Sequence, residues 1–408
     1  MFYYKRLNVM KTINNYSIRK KRVLFRADLN VPVINGIISE KTRIESIKSS
    51  IKKLIEKKNK IFLLSHFGRP KGTYDKKLSL KFMCSDLAEE FKLEKIHFIK
   101  EIKSQAISET INDISFGDVC LLENIRFYKK EEINDLNFAK ELAKNFDVYI
   151  NDAFSASHRH HASIVGITKY LPSVAGDSLL EEINNIEIFF NNPRKPNTAI
   201  LGGSKISTKT KLIHNLIEYF DNIIIAGAMA NTFLYVQGFN IGKSLVEKKL
   251  AKSVKEILNK AKKYNCNLIL PIDVVCSNSL KDSINIRNSD VNNILPNQMI
   301  LDIGNNTMQK IKETLLKSNM ILWNGPLGAF EYMPFNHATI EIANAIKKNA
   351  KLRQITALAG GGDTISAIKM AKAEEGFSYI SKAGGAFLEW LKGDESPGVK
   401  ALKENKIY

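Results

Sequence analysis

Cysteine is scarce in this chain of 408 residues. Cys84, Cys120, Cys266 and Cys276 are scattered, form no C-x-x-C pair, and sit mostly in or beside apolar runs. That usage fits buried free thiols in a reducing compartment and leaves no basis for a disulfide framework. Long hydrophobic runs are missing as well. The longest apolar stretches, 222–229 and 267–275, fall far short of the roughly 20 residues that span a bilayer, so no membrane segment is expected. The opening Met1-Phe2-Tyr3-Tyr4-Lys5-Arg6 lacks the apolar core and small-residue cleavage site of an export signal. The expected compartment is therefore cytoplasmic. Acidic residues are in deficit, 42 against 61 Lys and Arg, for a formal net charge of +19. Basic chains often bind nucleic acid. Here, lysines such as Lys52, Lys53, Lys57, Lys58 and Lys60 spread through amphipathic helical patterns, which reads as a solvated surface. No nucleic-acid partner is expected.

What the chain does contain is a steady alternation. Its length exceeds what one core usually serves, so two domains of roughly 150 to 200 residues are expected. Strand-like runs at 22–27, 60–65, 96–99, 119–122 and 147–150 alternate with helical patterns such as Thr42 to Lys57, where Ile44, Ile47, Ile51, Leu54 and Ile55 share a face. A long helix is expected over Gly176 to Phe190, stopping at the linker Asn191-Asn192-Pro193-Arg194-Lys195-Pro196. Strands then resume at 198–201, 222–226, 268–274, 320–323 and 355–359, and a last helix runs from about Gly385 to Leu391. The expected fold is α/β in two lobes. Each is a mainly parallel sheet flanked by helices in a Rossmann-like three-layer arrangement, and a hinge helix joins them.

Polar and glycine-rich groups collect where the strands end. The first half carries Arg26-Ala27-Asp28-Leu29-Asn30-Val31-Pro32, His66-Phe67-Gly68-Arg69, Glu123-Asn124-Ile125-Arg126 and Asn151-Asp152-Ala153-Phe154 with Arg159. The second half carries Leu201-Gly202-Gly203-Ser204-Lys205 with Lys209, Ala226-Gly227-Ala228, Asn324-Gly325-Pro326-Leu327-Gly328 and Gly360-Gly361-Gly362-Asp363-Thr364. Such ends form the ligand crevice of an open α/β sheet, and glycines let backbone N–H groups approach phosphate oxygens. A nucleotide-phosphate site is thus expected in the second half. Two familiar motifs fail: Gly238 to Ser244 is one residue short of a P-loop, and Ile365 stands where G-x-G-x-x-G needs glycine. His158, His160 and His161 flank Arg159, which would repel a cation, so an anion site suits them better than zinc. Arg43, Arg69, Arg126 and Arg159 stand where lysine is otherwise the default cation, and arginine forks phosphate oxygens. Asp363, after three glycines, suits a magnesium ion held mainly by phosphates, with Asp273 as the competing candidate.

Taken together, these blocks resemble the phosphoglycerate kinase family. Its carriers are Arg26 to Pro32, Ser65 to Pro70, Glu123 to Phe127, Leu201 to Lys205, Trp323 to Pro326 and Gly360 to Thr364, in the family's order along nearly the whole chain. The resemblance implies reversible transfer of the acyl phosphate of 1,3-bisphosphoglycerate to MgADP, giving 3-phosphoglycerate and MgATP, with Mg2+ as cofactor. It implies a substrate set of Asp28, Asn30, Arg43, His66, Arg69, Arg126 and Arg159. The implied nucleotide set is Gly202, Gly203, Lys205, Lys209, Gly227, Asn324, Glu331, Gly361, Gly362, Asp363 and Thr364, with Glu331 on the ribose and Asp363 on the metal. Arg43, Lys205, Gly384 and Gly385 would serve the phosphoryl group in flight. The implied divisions are 1–175 for the phosphoglycerate, 176–192 as hinge, 193–385 for the nucleotide, and 386–408 as a tail packing back toward the first domain. A monomer is implied too.

Departures from the family pattern carry their own expectations. Ser381-Lys382-Ala383-Gly384-Gly385 replaces the Ser-Thr-Gly-Gly-Gly that the family often has. A Cβ at Ala383 would be strained wherever φ must be positive, and Lys382 adds a charge near the phosphates. Lowered turnover is the expected consequence. Phe154-Ser155-Ala156-Ser157-His158-Arg159 also replaces the commoner Phe-Gly-Thr-Ala-His-Arg, so the loop carrying Arg159 is expected to sit differently. Family members usually begin near Met10, so residues 1–9 are expected to be disordered or to reflect the choice of start site. The rival readings are a basic RNA-binding protein with a decayed site and a different kinase on a two-lobed frame. ADP-dependent transfer to or from 3-phosphoglycerate separates both from the main reading.

Overall fold

The computed structural model describes residues 10–281 and 285–407. The question of the start, Met1 or Met10, turns on residues 1–9 and lies outside the described residues. The chain forms two compact units: one runs to Asn184 and takes back the C-terminal stretch from Glu395, and the other is Asn185–Asp394. The division therefore falls inside the helix Asp177–Asn191, and residues 386–394 belong with the second unit.

The first unit is built on a six-stranded sheet of β1 (Arg22–Arg26), β2 (Lys60–Leu64), β3 (His97–Ile99), β4 (Val119–Leu122), β5 (Val148–Asn151) and β6 (Ser173–Ala175). Its spatial order is β3-β4-β2-β1-β5-β6, and every pairing is parallel. Consecutive residues such as Val23, Leu24 and Phe25 are all fully buried although they point to opposite faces. A parallel sheet covered by helices on both sides requires this, which is why its strands read as continuous apolar runs. The helical pattern from Thr42 is divided into Thr42–Ser46 and Lys48–Glu56. At the junction Ile47 N–H bonds Ile44 O at 3.3 Å, an i−3 bond that tightens the turn. The helix Pro397–Glu404 returns to this unit, where Asn405 accepts from Ser173 N–H at 3.0 Å and donates to Thr168 O at 2.7 Å.

The second unit carries β7 (Asn197–Leu201), β8 (Asn222–Ile225), β9 (Asn267–Ile269), an antiparallel trio β10 (Asp273–Ser277), β11 (Arg287–Asp290) and β12 (Met299–Ile303), then β13 (Met320–Asn324), β14 (Thr356–Gly360) and β15 (Tyr379–Ser381). The main sheet is parallel in the order β9-β8-β7-β13-β14-β15, the doubly wound arrangement, and the trio is ordered β11-β10-β12. The single strand expected over 268–274 is in fact two strands in two sheets. Pro271, lacking an N–H, separates β9 from β10. The short strands β6 and β15, the trio's partner strands and the hairpin Val33–Ile34 with Ile37–Ile38 were not legible as runs. That hairpin turns on Asn35-Gly36, both at positive φ, and the Asn-Gly pair is its sequence signal.

In each sheet the chain winds outward on one side and then the other. The switch falls between β1 and β5 in the first unit and between β7 and β13 in the second. Crevices open at the C-terminal ends of strands at such points.

Candidate active site

At the first switch point the segment leaving β1 meets the segment leaving β5. Asp28 Oδ2 pairs with the Arg43 guanidinium and accepts from the Ser155 hydroxyl, and Oδ1 accepts from Asn30 N–H at 3.1 Å. Burial alone would raise the Asp28 pKa; Arg43, then His66, and the hydrogen bonds outweigh it and hold the carboxyl well below the usual range. Asn30 Oδ1 accepts from Gly68 N–H at 2.9 Å, and Arg126 donates to Gly68 O at 2.8 Å, so three strand ends are tied together.

His66 is buried behind this group. Arg26 Nη2 lies 3.2 Å from its Nδ1. Since a guanidinium can only donate, Nδ1 accepts and the ring proton is assigned to Nε2. Burial, then Arg26, Arg126 and Arg159, keep the imidazole neutral well below its ordinary 6.5, with Asp28 opposing them. Arg126 is itself pushed down to about 10, by burial first and then by Arg159 and Arg26. Its buried Nε has no hydrogen-bond partner, the nearest carboxylate oxygen, of Glu132, being 3.5 Å away. The structure thus gathers Asp28, Asn30, Arg43, His66, Arg126 and Arg159, while Arg69, next to Gly68, is exposed. Of the histidine trio, His161 turns to the buried Glu131, 3.5 Å away.

Two members of this group were not singled out from sequence. Arg26 is 1% exposed, and its Nε donates to Ser163 Oγ at 3.0 Å, which in turn donates to Glu131 at 2.6 Å. An arginine directly after the apolar run Val23-Leu24-Phe25, as the last residue of β1, was the available signal. Ser155 was noted only as a departure from the family pattern, and it lands on Asp28.

At the second switch point the turns after β7 and β13 interlock. Gly202 N–H donates to Asn324 O at 3.0 Å and Gly203 N–H to Pro326 O at 3.0 Å. A Cβ on Gly202 would meet Pro326 O at 1.9 Å, so only glycine lets these backbones approach. Lys209, nearly buried, donates to the backbone oxygen and Oδ1 of Asn324, whose Nδ2 donates to Gly360 O at 2.6 Å. Burial pushes Lys209 down to about 8, with Asp363 opposing. Thr364 Oγ1 accepts from Gly325 N–H at 2.7 Å, and Gly361 at φ +100° turns the chain into the helix Gly362–Met370.

Beside these turns lies a cavity of about 290 Å³ with apolar walls that include Ile300 and Leu327. Gly203, Gly227, Glu331 and Asp363 line it, whereas Gly202 and Thr364 belong to the supporting turns. Lys205 is exposed ahead of the short turn Ile206–Thr208. The competing Asp273 is spent as a helix cap: it accepts from Thr307 N–H at 2.7 Å and Asn306 N–H at 3.0 Å at the start of Asn305–Lys317. No group of three or more His, Cys, Asp or Glu that could hold a metal occurs among the described residues. Gly360 pairs with Ser381, so the loops 361–363 and 382–385 emerge side by side. The strain expected at Ala383 is not present: its φ is not positive, because Gly384 takes the left-handed turn at φ +54°.

The family model for phosphoglycerate kinase matches residues 13–394. The chain belongs to the phosphoglycerate kinase family. The phosphoglycerate kinase of Sinorhizobium medicae is 43% identical over 397 residues, 97% of this chain and 99% of that protein. That of Rhizobium meliloti is 42% identical over 395 residues, with coverage of 97% and 99%. Among solved structures, phosphoglycerate kinase from Coxiella burnetii superposes with a TM-score of 0.88 at 36% identity, covering 96% of this chain and 98% of that one. The enzyme from Pyrococcus horikoshii superposes at 0.79 and 28% identity. As a phosphoglycerate kinase by family, the chain is a phosphotransferase of glycolysis.

Proposed function

We propose that the arginine cluster of the first unit holds 3-phosphoglycerate or 1,3-bisphosphoglycerate, that the second unit's cavity holds ADP or ATP, and that the acyl phosphate passes directly between them. The observation that carries this reading is that each sheet has an anion-compatible cluster at its own switch point. One is rich in arginine and the other combines an apolar cavity with a buried lysine.

In the first unit Asp28 accepts from the substrate hydroxyl and Asn30 steadies its carboxyl end. His66 Nε2–H and the guanidinium groups of Arg69, Arg126 and Arg159 bind the remote phosphate. The unpartnered Nε of Arg126 supports this role, because an anion oxygen would satisfy it. In the second unit Gly203 and Gly227 line the adenine slot against Gly202 and Glu331 reaches the ribose, while Lys209, Asn324, Gly361, Gly362 and Thr364 serve the phosphates from the turns beside the cavity.

A single exposed carboxylate in the first turn of a helix fits Mg2+, which keeps most of its ligands from phosphate and water. Asp363 would hold it there, and the ion would neutralise charge on the nucleotide phosphates.

In the ATP-forming direction the bond between the substrate's carboxyl oxygen and phosphorus breaks, and one forms from the terminal phosphate oxygen of ADP to the same phosphorus. Both oxygens are anionic when they attack, so no general base is needed. Arg43 and Lys205, with the turn Gly384-Gly385, then offset charge spread over the phosphoryl oxygens. Because different units hold the two substrates, they must bring their ligands in line during turnover. The helix Asp177–Asn191 is our hinge, its first turn fixed by Asp152, which accepts from Leu179 N–H at 2.8 Å. We also read the protein as cytoplasmic, consistent with four free thiols, and as a monomer, as the family resemblance implies.

A coupled assay with MgATP and 3-phosphoglycerate tests the reading. Turnover should need both substrates and collapse in Arg43→Ala; a folded, ATP-binding protein that ignores 3-phosphoglycerate would overturn it.

A further inference from the structure

A second cavity lies in the first unit, and none of its lining residues belongs to the arginine cluster. It measures about 640 Å³ and opens at the C-terminal ends of β3 and β4. Lys100 follows β3 directly and Glu123 follows β4 directly, and Glu123 N–H donates to Ile99 O at 2.9 Å, so the two exits stand side by side. These strand ends lie on the same side of the sheet as the arginine cluster, though away from the switch point between β1 and β5, and the volume suits a small molecule.

The charge around it is one-sided. The only acid lining it among the described residues, Glu123, is 2% exposed and already hydrogen-bonded: Oε1 accepts from Leu80 N–H at 2.9 Å and Asn124 N–H at 2.8 Å, and Oε2 from Ser79 Oγ at 2.7 Å. The three cations, Lys76, Lys81 and Lys100, are exposed, and none forms an ion pair with a carboxylate among the described residues. Elsewhere on the same unit Lys48, Lys53 and Lys103 reach carboxylates at 2.6 to 2.7 Å. Three exposed ammonium groups outnumber the one buried carboxylate, whose oxygens are already hydrogen-bonded, and the excess of positive charge favours an anion with several oxygens.

Aromatic rings set the rest of the chemistry. Tyr74 is 55% exposed and meets Phe127 edge-on at 5.0 Å, which leaves a ring face open. Phe82 and Phe98 line the wall as half-buried rings. Phe82 and Phe98 also pack against the core, Phe82 meeting Phe67 at 5.4 Å, so Tyr74 is the exposed ring; cations beside an exposed aromatic ring are a composition that binds a phosphate joined to a planar base.

We propose that this groove is a nucleotide site distinct from the kinase's own, taking the base on Tyr74, Phe82 and Phe98 and the phosphate between Lys76, Lys81 and Lys100. The same chemistry is offered by a free nucleotide and by one unit of a single strand.

The test uses the full chain with saturating MgADP, so that the kinase nucleotide site is filled. Uridine monophosphate is titrated by calorimetry, and dye-labelled hexauridylate by fluorescence anisotropy. Lys76→Gln/Lys81→Gln/Lys100→Gln and, separately, Tyr74→Ala should each weaken binding about tenfold or more and leave kinase turnover unchanged, which also reports folding. Weakening of both probes supports the site. Weakening of hexauridylate alone supports it with a strand as the source, and of uridine monophosphate alone with a free nucleotide. Binding of neither probe, or binding that survives both variants, overturns the proposal. Equal binding of tripolyphosphate, insensitive to Tyr74→Ala, also overturns it, since the rings would then contribute nothing.

Discussion

Arg26 reaches across from β1 to His66 at the end of β2, with Nη2 3.2 Å from Nδ1, and so decides which ring nitrogen carries the proton. The consequence is a neutral histidine whose remaining N–H is available to an anion.

This contact makes stability pH-dependent in a definite sense. The folded pKa of His66 lies well below 6.5, through burial first and then the arginines. On acidification the unfolded chain takes up this proton first, so the contribution is complete above 6.5 and is lost as pH falls below it. His66→Gln should lose less of its urea midpoint than the wild type over that range; equal losses would contradict the assignment.

Lys209 is held at about 8 by burial. As pH rises through 8 the free protein loses this cation, so ADP binding should weaken there. Lys209→Met should bind ADP about tenfold or more weakly, the scale of one charged hydrogen bond, and lose that pH dependence. Calorimetry between pH 7 and 9 measures both, on the order of one unit either side of the midpoint.

Ser155 supplies one of the donors that keep Asp28 charged. Ser155→Ala should cost roughly 1.5–3 kcal/mol of stability at neutral pH, as for a hydrogen bond to a charged group. It should also raise KM for 3-phosphoglycerate more than it lowers kcat. Urea unfolding and steady-state kinetics check the two parts separately.

The turn at Gly202 has no room for a methyl group, which would sit 1.9 Å from Pro326 O and 2.6 Å from Gly325 O. Gly202→Ala should destabilise by about 1–3 kcal/mol and weaken ADP binding, because the displaced turn carries Gly203 at the cavity. Unchanged melting and affinity would show that the turns are not locked together.

Ala383 carries no left-handed strain to relieve. Ala383→Gly alone should therefore not raise turnover and should cost about 0.5–1 kcal/mol in backbone entropy. Any gain from the double change with Lys382→Thr should appear in Lys382→Thr by itself, through its charge.

Much of the candidate site was legible because strand ends announce themselves locally. An apolar run followed by Asp28 and Asn30, or by Gly360 to Thr364, marks a strand's exit without knowledge of its neighbours. The break at Pro271 and the Asn35-Gly36 hairpin were equally local, and their signals stood in the chain. Asp273 and Asp363 could not be told apart in that way, since each is a carboxylate near a strand end. Only the packing of the helix Asn305–Lys317 onto Asp273 removes it from the choice.

The sequence by itself determined the alternation of strands and helices, the family, and the residue types at each strand's exit, because hydrophobic period and turn chemistry act over a few neighbours. Tertiary structure alone decided which exits meet. Lys209 and Asn324 are 115 residues apart, and Asp28 and Ser155 are 127 apart. Strand order brings them together, and strand order follows from burying both faces of each sheet at once, a constraint on the whole domain that no short stretch of chain carries.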